Sequence, residues 1–304
     1  MSSTSVTRQA TGVGFGRASL VLLAGVLAMA WASILIRWAN APPLVVGAGR
    51  LSAATLLLAP FAWPGAAREW RRLGRDQWLR VLVAGVALGL HFAAWIASLD
   101  LTSVANSVVL VSTTPLFVAL ASPLLLGERV PRMMALSVGL AVAGSVIIGT
   151  ADAHAATGAL AGDLLALGGA VMAAVYVLAG RVLRQRMSLL AYIWPTYGLA
   201  ALVLLLGCAV AGQSPVGYPP RVYGLLVLLA VGPQILGHSS VNWALRYLSP
   251  TFVTVTILGE PLGATILALL LLGERPPWTL VAGGIILLLG IGLAVRSERQ
   301  RPEM

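Results

Sequence analysis

The chain has 304 residues, of which 59% are hydrophobic and 10% are charged, and its formal net charge is +10. Soluble proteins average about 25% charged residues, and a water-soluble domain with this much apolar side chain would have an apolar surface as well. The composition excludes a water-soluble enzyme domain, and the single cysteine, Cys208, excludes an internal disulfide and a multi-cysteine metal site.

The first 38 residues predict a disordered tail followed by an uncleaved membrane span. Residues 1–16 are polar and contain glycine, which favours a disordered cytoplasmic N-terminus. The apolar run at 17–38 begins like a signal peptide, but a signal core usually holds about 7 to 15 apolar residues and this run is longer. We therefore expect it to remain in the protein as its first transmembrane helix.

The rest of the chain continues as apolar runs that are long enough to cross a bilayer, which takes about 20 residues per helix. Because backbone groups in lipid must be hydrogen-bonded within each span, the predicted fold is an all-α integral membrane bundle. Ten spans are predicted, near residues 17–38, 43–63, 77–99, 103–126, 131–150, 162–183, 188–211, 221–246, 250–272 and 277–296.

Six residues recur unchanged within the chain. Leu-Leu-Leu-Gly-Glu-Arg occupies 124–129 and again 270–275, and at the same offset Pro115 corresponds to Pro261. Two copies of one five-helix unit are therefore predicted. The predicted units are a first repeat at 17–150, a second repeat at 162–296 and a cytoplasmic tail at 297–304.

The arginines predict which side of the membrane each loop faces. With a cytoplasmic N-terminus, sixteen of the twenty arginines fall on the inner side, where membrane proteins concentrate them. Both termini are then inside, and five spans per copy turn the second repeat upside down relative to the first. Two inverted five-helix repeats are a recurrent plan of secondary transporters that work by alternating access.

With this plan, the chain resembles the EamA-type branch of the drug/metabolite transporter superfamily. The resemblance rests on the five-plus-five arrangement, on an arginine early in span 2, and on a proline followed by Leu-Gly-Glu in spans 4 and 9. It implies a transporter and not an enzyme: relatives export amino acids and other small metabolites, and the superfamily also includes sugar-phosphate and nucleotide-sugar carriers. The residues that carry it are Arg50, Pro115, Leu126-Gly127-Glu128, Glu260-Pro261 and Leu272-Gly273-Glu274.

Glu260 is the only carboxylate predicted near the middle of a span, where ionisable groups are costly and often functional. It would bind a proton or a substrate amine. The alternative is a packing role, with the carboxyl bonded to a backbone amide freed by Pro261, because relatives carry this Glu-Pro pair whatever they transport. Arg50 is assigned to the outer half, where it would snorkel outward or pair with an acid.

His91 in span 3 and His238 in span 8 occupy equivalent places in the two copies, within a shift of one or two residues. Histidine titrates near physiological pH, so either ring would carry a proton or hydrogen-bond a substrate. The alternative is a ring satisfied by a backbone carbonyl. The two are not spaced four residues apart on one helix, so no metal site is predicted.

Three tryptophans away from the predicted membrane interfaces, Trp31, Trp95 and Trp243, would line a substrate cavity or pack in the core. Small polar residues would hydrogen-bond a small zwitterion at breaks in the helices, although helix packing uses the same residue types. The cavity is expected among spans 3, 4, 8 and 9. The polar candidates are Ser107, Thr114, Asn242 and Thr256.

The expected function is export of a small metabolite, an amino acid or a related amphipathic compound, across the bacterial inner membrane. Protons or a counter-substrate would drive it, because no Walker-type glycine loop occurs; no cofactor and no metal are expected. The basic clusters suit membrane lipids better than nucleic acid. The alternatives are a carrier of anionic sugar phosphates or nucleotides and a non-transporting membrane protein, and the oligomeric state stays open.

Overall fold

The computed structural model describes residues 13–102, 104–150, 160–273 and 278–301, and within these ranges it consists of helices and their connections, without a strand. This confirms the all-helical prediction. The helices are α1 (Phe15–Ala30), α2 (Ala32–Ala39), α3 (Pro43–Trp70), α4 (Arg75–Leu101), α5 (Val104–Val111), α6 (Thr114–Leu126), α7 (Arg132–Thr150), α8 (Leu160–Arg184), α9 (Leu189–Val210), α10 (Pro220–Leu229), a π-helical segment (Ala230–His238), α11 (Ser239–Ala244), α12 (Pro250–Ile257), α13 (Glu260–Leu272) and α14 (Trp278–Arg299).

The helices fall on the predicted apolar runs. In the described part of the chain, nine helical stretches are long and apolar enough to cross a membrane, so the protein is a multi-pass membrane protein. A further apolar helix, Arg132–Ile148, is shorter and lies in the fifth predicted span. The count of ten spans and the inversion of the repeats remain predictions.

The second span is longer than predicted. Instead of ending at residue 63, α3 continues past Pro64 to Trp70. The Trp70 Nε1 donates to the carbonyl oxygen of Ala191 at 2.9 Å, and its ring packs against Trp63 and Trp194. The predicted end was wrong because contacts with another helix, and not local hydropathy, determine where this helix ends.

Spans 4 and 9 are each divided into two helices at the same place in the repeated sequence. Pro115 lies in the first turn of α6 and Pro261 in the first turn of α13. Proline lacks an N–H group but fits the first turn of a helix, so it starts a new helix where the previous one ends. Both helices end on a glycine with positive φ, 67° at Gly127 and 69° at Gly273, which glycine adopts without strain.

Close contacts between small residues hold the bundle together. A Cβ atom on Gly144 of α7 would lie 2.6 Å from the carbonyl oxygen of Gly283 in α14, so these helices touch backbone to backbone. Gly237 of the π-helical segment packs closely against the side chain of Met29 in α1. In addition, α3 contacts both α4 and the π-helical segment, which brings spans 2, 3 and 8 together in the interior.

Candidate functional site

The side chain of Arg50 lies inside the helix bundle. It is the eighth residue of α3 and is 4% exposed. Its Nε and Nη2 donate to Gln234 Oε1 at 3.0 and 2.7 Å, and its guanidinium lies 4.9 Å from the centroid of the Phe92 ring. Among the described residues no carboxylate lies within 4.0 Å of it. The expectation that Arg50 would snorkel outward or pair with an acid was wrong, because its partner is a buried neutral amide.

Gln234 is carried by a distorted part of span 8. It follows Pro233 within the π-helical segment, and π turns inside helices occur frequently at functional sites. The residue is fully buried, and its Nε2 has no hydrogen-bond partner in the described part of the chain. The amide therefore directs its oxygen to Arg50, and its Nε2 lies by the Tyr197 hydroxyl without normal hydrogen-bond geometry.

Glu260 interacts electrostatically with Arg50 but does not touch it. Its side chain is half-buried at the start of α13. Within the described ranges its carboxylate makes neither a hydrogen bond nor an ion pair within 4.0 Å. The packing interpretation, in which a freed backbone amide binds the carboxyl, therefore finds no support. The side chains of Arg50 and Glu260 are separated by more than salt-bridge distance.

His91 and His238, which the sequence predicted as a pair, both contact the ring of Phe92. Their ring centroids lie 5.1 and 5.8 Å from it, and the two histidines also interact electrostatically with each other and with Arg50. The Nδ1 of His91 lies 2.9 Å from the carbonyl oxygen of Gly169. Phe92 thus contacts Arg50, His91 and His238. We call these four residues, together with Gln234 and Glu260, the central cluster.

Of the three predicted tryptophans, Trp95 belongs beside the central cluster. Its ring stacks on His91 with the centroids 6.4 Å apart and the planes at 7°, and its buried Nε1 has no partner among the residues described. Trp243 packs instead against Tyr247, at 4.6 Å. Trp31 is 41% exposed at the break between α1 and α2. The structure therefore gives the three rings different surroundings.

Asn242 is fully buried and connects three helices next to His238. Its Nδ2 donates to the hydroxyl of Tyr176 at 2.6 Å and to the carbonyl oxygen of His238 at 2.9 Å, and it lies 3.4 Å from the hydroxyl of Tyr197. The Tyr197 hydroxyl lies 3.1 Å from that of Ser239. This network ties α8 and α9 to span 8, so it fixes the backbone that carries His238.

The three hydroxyl candidates already have partners. Ser107 Oγ lies 2.6 Å from Ser98 Oγ, which links spans 4 and 3. Thr114 and Thr256 donate, each at 2.8 Å, to backbone carbonyls three and four residues earlier in the chain. Of the two roles considered for these residues, these bonds favour helix packing.

A charged network joins helix ends away from the central cluster. Glu128 accepts from Arg181 Nε at 2.7 Å and from Arg301 Nη2 at 2.8 Å. Glu298 accepts from the backbone N–H and the hydroxyl of Ser249, both at 2.6 Å. These bonds tie the ends of α6, α8 and α14 to the start of α12.

A groove with a volume of about 850 Å³ lies between α4, α6 and α8. Its walls are mostly apolar and include Phe117, Leu120 and Val175, with Asp76 and Arg80 from the start of α4. No member of the central cluster lines it. The groove is therefore separate from the candidate site, although the sequence placed the cavity partly in spans 3 and 4.

Sequence reasoning missed Arg50, Gln234 and Phe92 as members of the site. An arginine inside an apolar run is costly in lipid, and that cost was the available signal for Arg50. The glycine and proline that precede Gln234 marked a helix break but not the direction of its side chain. Nothing in the sequence distinguished Phe92 from other apolar residues.

Comparison with known proteins gives consistent results along the chain. Two stretches, 16–150 and 160–296, each match the model of the EamA-like transporter family. An uncharacterized transporter of Archaeoglobus fulgidus is 28% identical over 82% of this chain and 86% of its own length. The inner membrane protein YtfF of Escherichia coli is 28% identical over 86% and 89%. A protein of Streptantibioticus cattleyicolor that bears the name probable terminal-alkyne amino-acid exporter is 27% identical over 89% and 94%.

A solved crystal structure has the same fold. It superimposes with a TM-score of 0.79, covering 95% of this chain and 99% of the other, at 21% sequence identity. The two consecutive matches to one family model are consistent with an internal duplication of the chain.

Proposed function

Because this chain belongs to the EamA-like transporter family, we propose that it is a secondary active transporter that exports a small metabolite across the inner membrane. The proposed cargo is an amino acid or a related amphipathic compound. Two relatives support these details, since one is named as an inner membrane protein and another as an amino-acid exporter. The family and these relatives also favour transport over catalysis.

One observation carries the proposal: ionisable side chains lie together inside apolar helices. Arg50, His91, His238 and Glu260 come from four different spans and are linked by electrostatic interactions. A charged side chain at the bilayer centre costs about 2.5–3.5 kcal/mol on insertion scales. A structural protein has no need for such a costly group, whereas a transporter needs polar contacts for a solute halfway across the membrane.

The proposed mechanism is alternating access about this central cluster. Arg50 and His91 belong to the first copy of the repeat, and His238 and Glu260 belong to the second. Secondary transporters with inverted repeats bind their substrates at the interface between the copies. With both termini cytoplasmic, the charged network around Glu128 would close the inner end while the outer end opens, and protons or a counter-substrate would drive the return.

Transport by reconstituted vesicles tests this function. A metabolite-toxicity screen in cells with and without the gene would supply substrates for counterflow assays. We expect Glu260→Gln, His91→Ala and His238→Ala to lower counterflow about tenfold or more while the purified variants remain folded, because each removes an ionisable group from the central cluster.

The matched control is Asp76→Asn, which neutralises an exposed carboxylate at the start of α4. It should transport like the parent protein. Unchanged counterflow in all three cluster variants would remove the central cluster from the mechanism.

The alternative carrier of sugar phosphates or nucleotides has weaker support. A phosphate group carries up to two negative charges and is usually bound by several cations. In the described part of the chain, Arg50 is the one arginine of the central cluster. The other two buried arginines, Arg181 and Arg184, lie at the end of α8.

A further inference from the structure

The groove between α4, α6 and α8 has the length of one leaflet of a bilayer. It is lined by residues between 76 and 83 of α4, between 117 and 126 of α6, and between 171 and 182 of α8. At about 1.5 Å per residue, its α8 side is about 16 Å long. One half of the hydrocarbon core of a membrane is about 15 Å thick.

Alanines on two helices leave the space that forms this groove. Ala121 of α6 and Ala174 and Ala179 of α8 line it, and Leu120 and Leu124 on its α6 side are exposed. Protein interiors are packed as tightly as organic crystals, so a space of about 850 Å³ between three helices is unusual. An exposed apolar surface of this kind marks a site of contact with a membrane or another protein.

One end of the groove is basic. Arg80 lines it, is exposed, and makes neither a hydrogen bond nor an ion pair within 4.0 Å with any described residue. Asp76 lines the same end, but residues 68–80 hold five arginines and two carboxylates, a net charge of +3. The start of α4 and the ends of α6 and α8 lie here, and the arginine count predicts that this end faces the cytoplasm. Such an end attracts anionic headgroups.

From its length, its apolar walls and its basic end, we propose that the groove is a binding site for an anionic phospholipid of the cytoplasmic leaflet. One acyl chain lies along the alanines, and the phosphate group binds Arg80. The apolar walls extend from Arg80 toward the membrane centre, as the acyl chains of a phospholipid extend from its phosphate. An apolar helix of a second copy would fill the walls but would leave Arg80 without an anion. The site is independent of the cargo, because no member of the central cluster lines the groove.

Photocrosslinking locates the lipid in vesicles that contain the full chain. The vesicles consist of phosphatidylcholine with a small fraction of phosphatidylglycerol that carries a diazirine in its acyl chain. We expect labelling of Leu120 and Leu124 to exceed that of Leu202 and Leu206 about fivefold or more, because a bound lipid stays longer than a passing one. The second pair consists of exposed leucines of α9 outside the groove. Equal labelling of the two pairs would overturn the proposal.

Two arginine variants test the headgroup contact by thermal unfolding in detergent. Phosphatidylglycerol should raise the melting temperature more than phosphatidylcholine with the same acyl chains. Arg80→Gln should raise the concentration of phosphatidylglycerol needed for half of this effect about fivefold. Arg75→Gln removes the same charge from an exposed arginine of α4 that does not line the groove, so it should have a smaller effect. Equal effects of the two variants would indicate a general attraction to the basic surface and would overturn the site.

The acyl-chain contact is tested by filling the groove. Ala179→Leu places a larger side chain in it and should remove the response to phosphatidylglycerol, whereas Ala161→Leu, at an exposed position of α8 outside the groove, should keep it. If Ala179→Leu does not fold, Leu120→Gln replaces it, because an exposed polar side chain in the wall should weaken binding without affecting the core. A parent-like response in the folded variant would refute the contact. A parent dimer in lipid-free detergent that Ala179→Leu separates would also overturn the proposal, since a second copy would then occupy the groove.

Discussion

Gln234 hydrogen-bonds to Arg50 but carries no charge, and two substitutions test these properties separately. In Gln234→Leu, Arg50 loses both bonds to Oε1, at 3.0 and 2.7 Å. A hydrogen bond to a charged group contributes about 1.5–3 kcal/mol, and removing the partner of a buried charge costs about 3–5 kcal/mol. We therefore expect a loss of about 3 kcal/mol. At about 2 °C per kcal/mol for a chain of this size, the melting temperature should fall by about 6 °C.

Gln234→Glu should leave the melting temperature nearly unchanged but lower transport. It keeps the size of the side chain and places a carboxylate where the amide oxygen contacts Arg50, so a buried ion pair replaces an ion–dipole bond. We expect the melting temperature to stay within about 2 °C of the parent value, because one lost neutral partner is replaced by a charged one. Counterflow should nevertheless fall about tenfold or more, because Arg50 then has an internal counter-ion and no longer presents an unneutralised charge to the cargo.

The melting temperature and the counterflow are measured on the same purified samples, the first by thermal unfolding in detergent and the second after reconstitution. Gln185→Glu, at an exposed glutamine whose side chain donates to the carbonyl oxygen of Arg246, is the control for the added charge. Parent-like counterflow in Gln234→Glu would refute the requirement for an unneutralised arginine. An unchanged melting temperature in Gln234→Leu would show that the bonds to Oε1 contribute much less than estimated.

Two further predictions concern parts of the protein outside the central cluster. Glu128→Gln weakens its contacts with two arginines, at 2.7 and 2.8 Å, so the adjoining helix ends should separate more often. In a Cys208→Ala background, a thiol introduced at the buried Thr251 should then react faster with a membrane-impermeant maleimide. An unchanged rate would contradict a role for Glu128 in holding these helix ends together. Gly144→Ala would place a Cβ 2.6 Å from backbone atoms of α14 and should lower the stability of the folded protein by about 1–3 kcal/mol. In the same helix, the Cβ of Gly139→Ala meets no atom within 4 Å, so this variant should leave the melting temperature unchanged or slightly higher. Equal effects of the two substitutions would contradict the close packing of α7 and α14.

The helices themselves were predictable, because hydropathy depends on local composition. The seventh predicted span, 188–211, corresponds to α9 at Leu189–Val210, and the sixth, 162–183, corresponds to α8 at Leu160–Arg184. In both cases the run is bounded by polar or charged residues. The second span was predicted too short, because its last residues are held by Trp194 and Ala191 of another helix and not by their own hydropathy.

The membership of the site was less predictable than the spans. Glu260, His91 and His238 stood out because ionisable residues are rare in membrane helices, and the structure brings all three to the central cluster. The direction of Arg50 did not follow from the sequence, since a side chain near the end of a span reaches either water or the interior. In the structure α3 packs against the π-helical segment, which holds Arg50 in the interior; the glycine and proline of that segment mark a helix break but do not specify this packing.

The central cluster has more hydrogen-bond donors than acceptors, and this imbalance has a consequence for binding. Among the described residues, Arg50 keeps unused N–H groups, and Gln234 Nε2 and Trp95 Nε1 are buried without partners. Each unsatisfied buried donor costs about 1–3 kcal/mol unless water or a ligand accepts from it. Glu260 interacts electrostatically with Arg50 but does not touch it. An incoming acceptor group would satisfy the unused N–H groups of Arg50, so we expect an acceptor on the cargo to contribute more to the binding free energy than a donor.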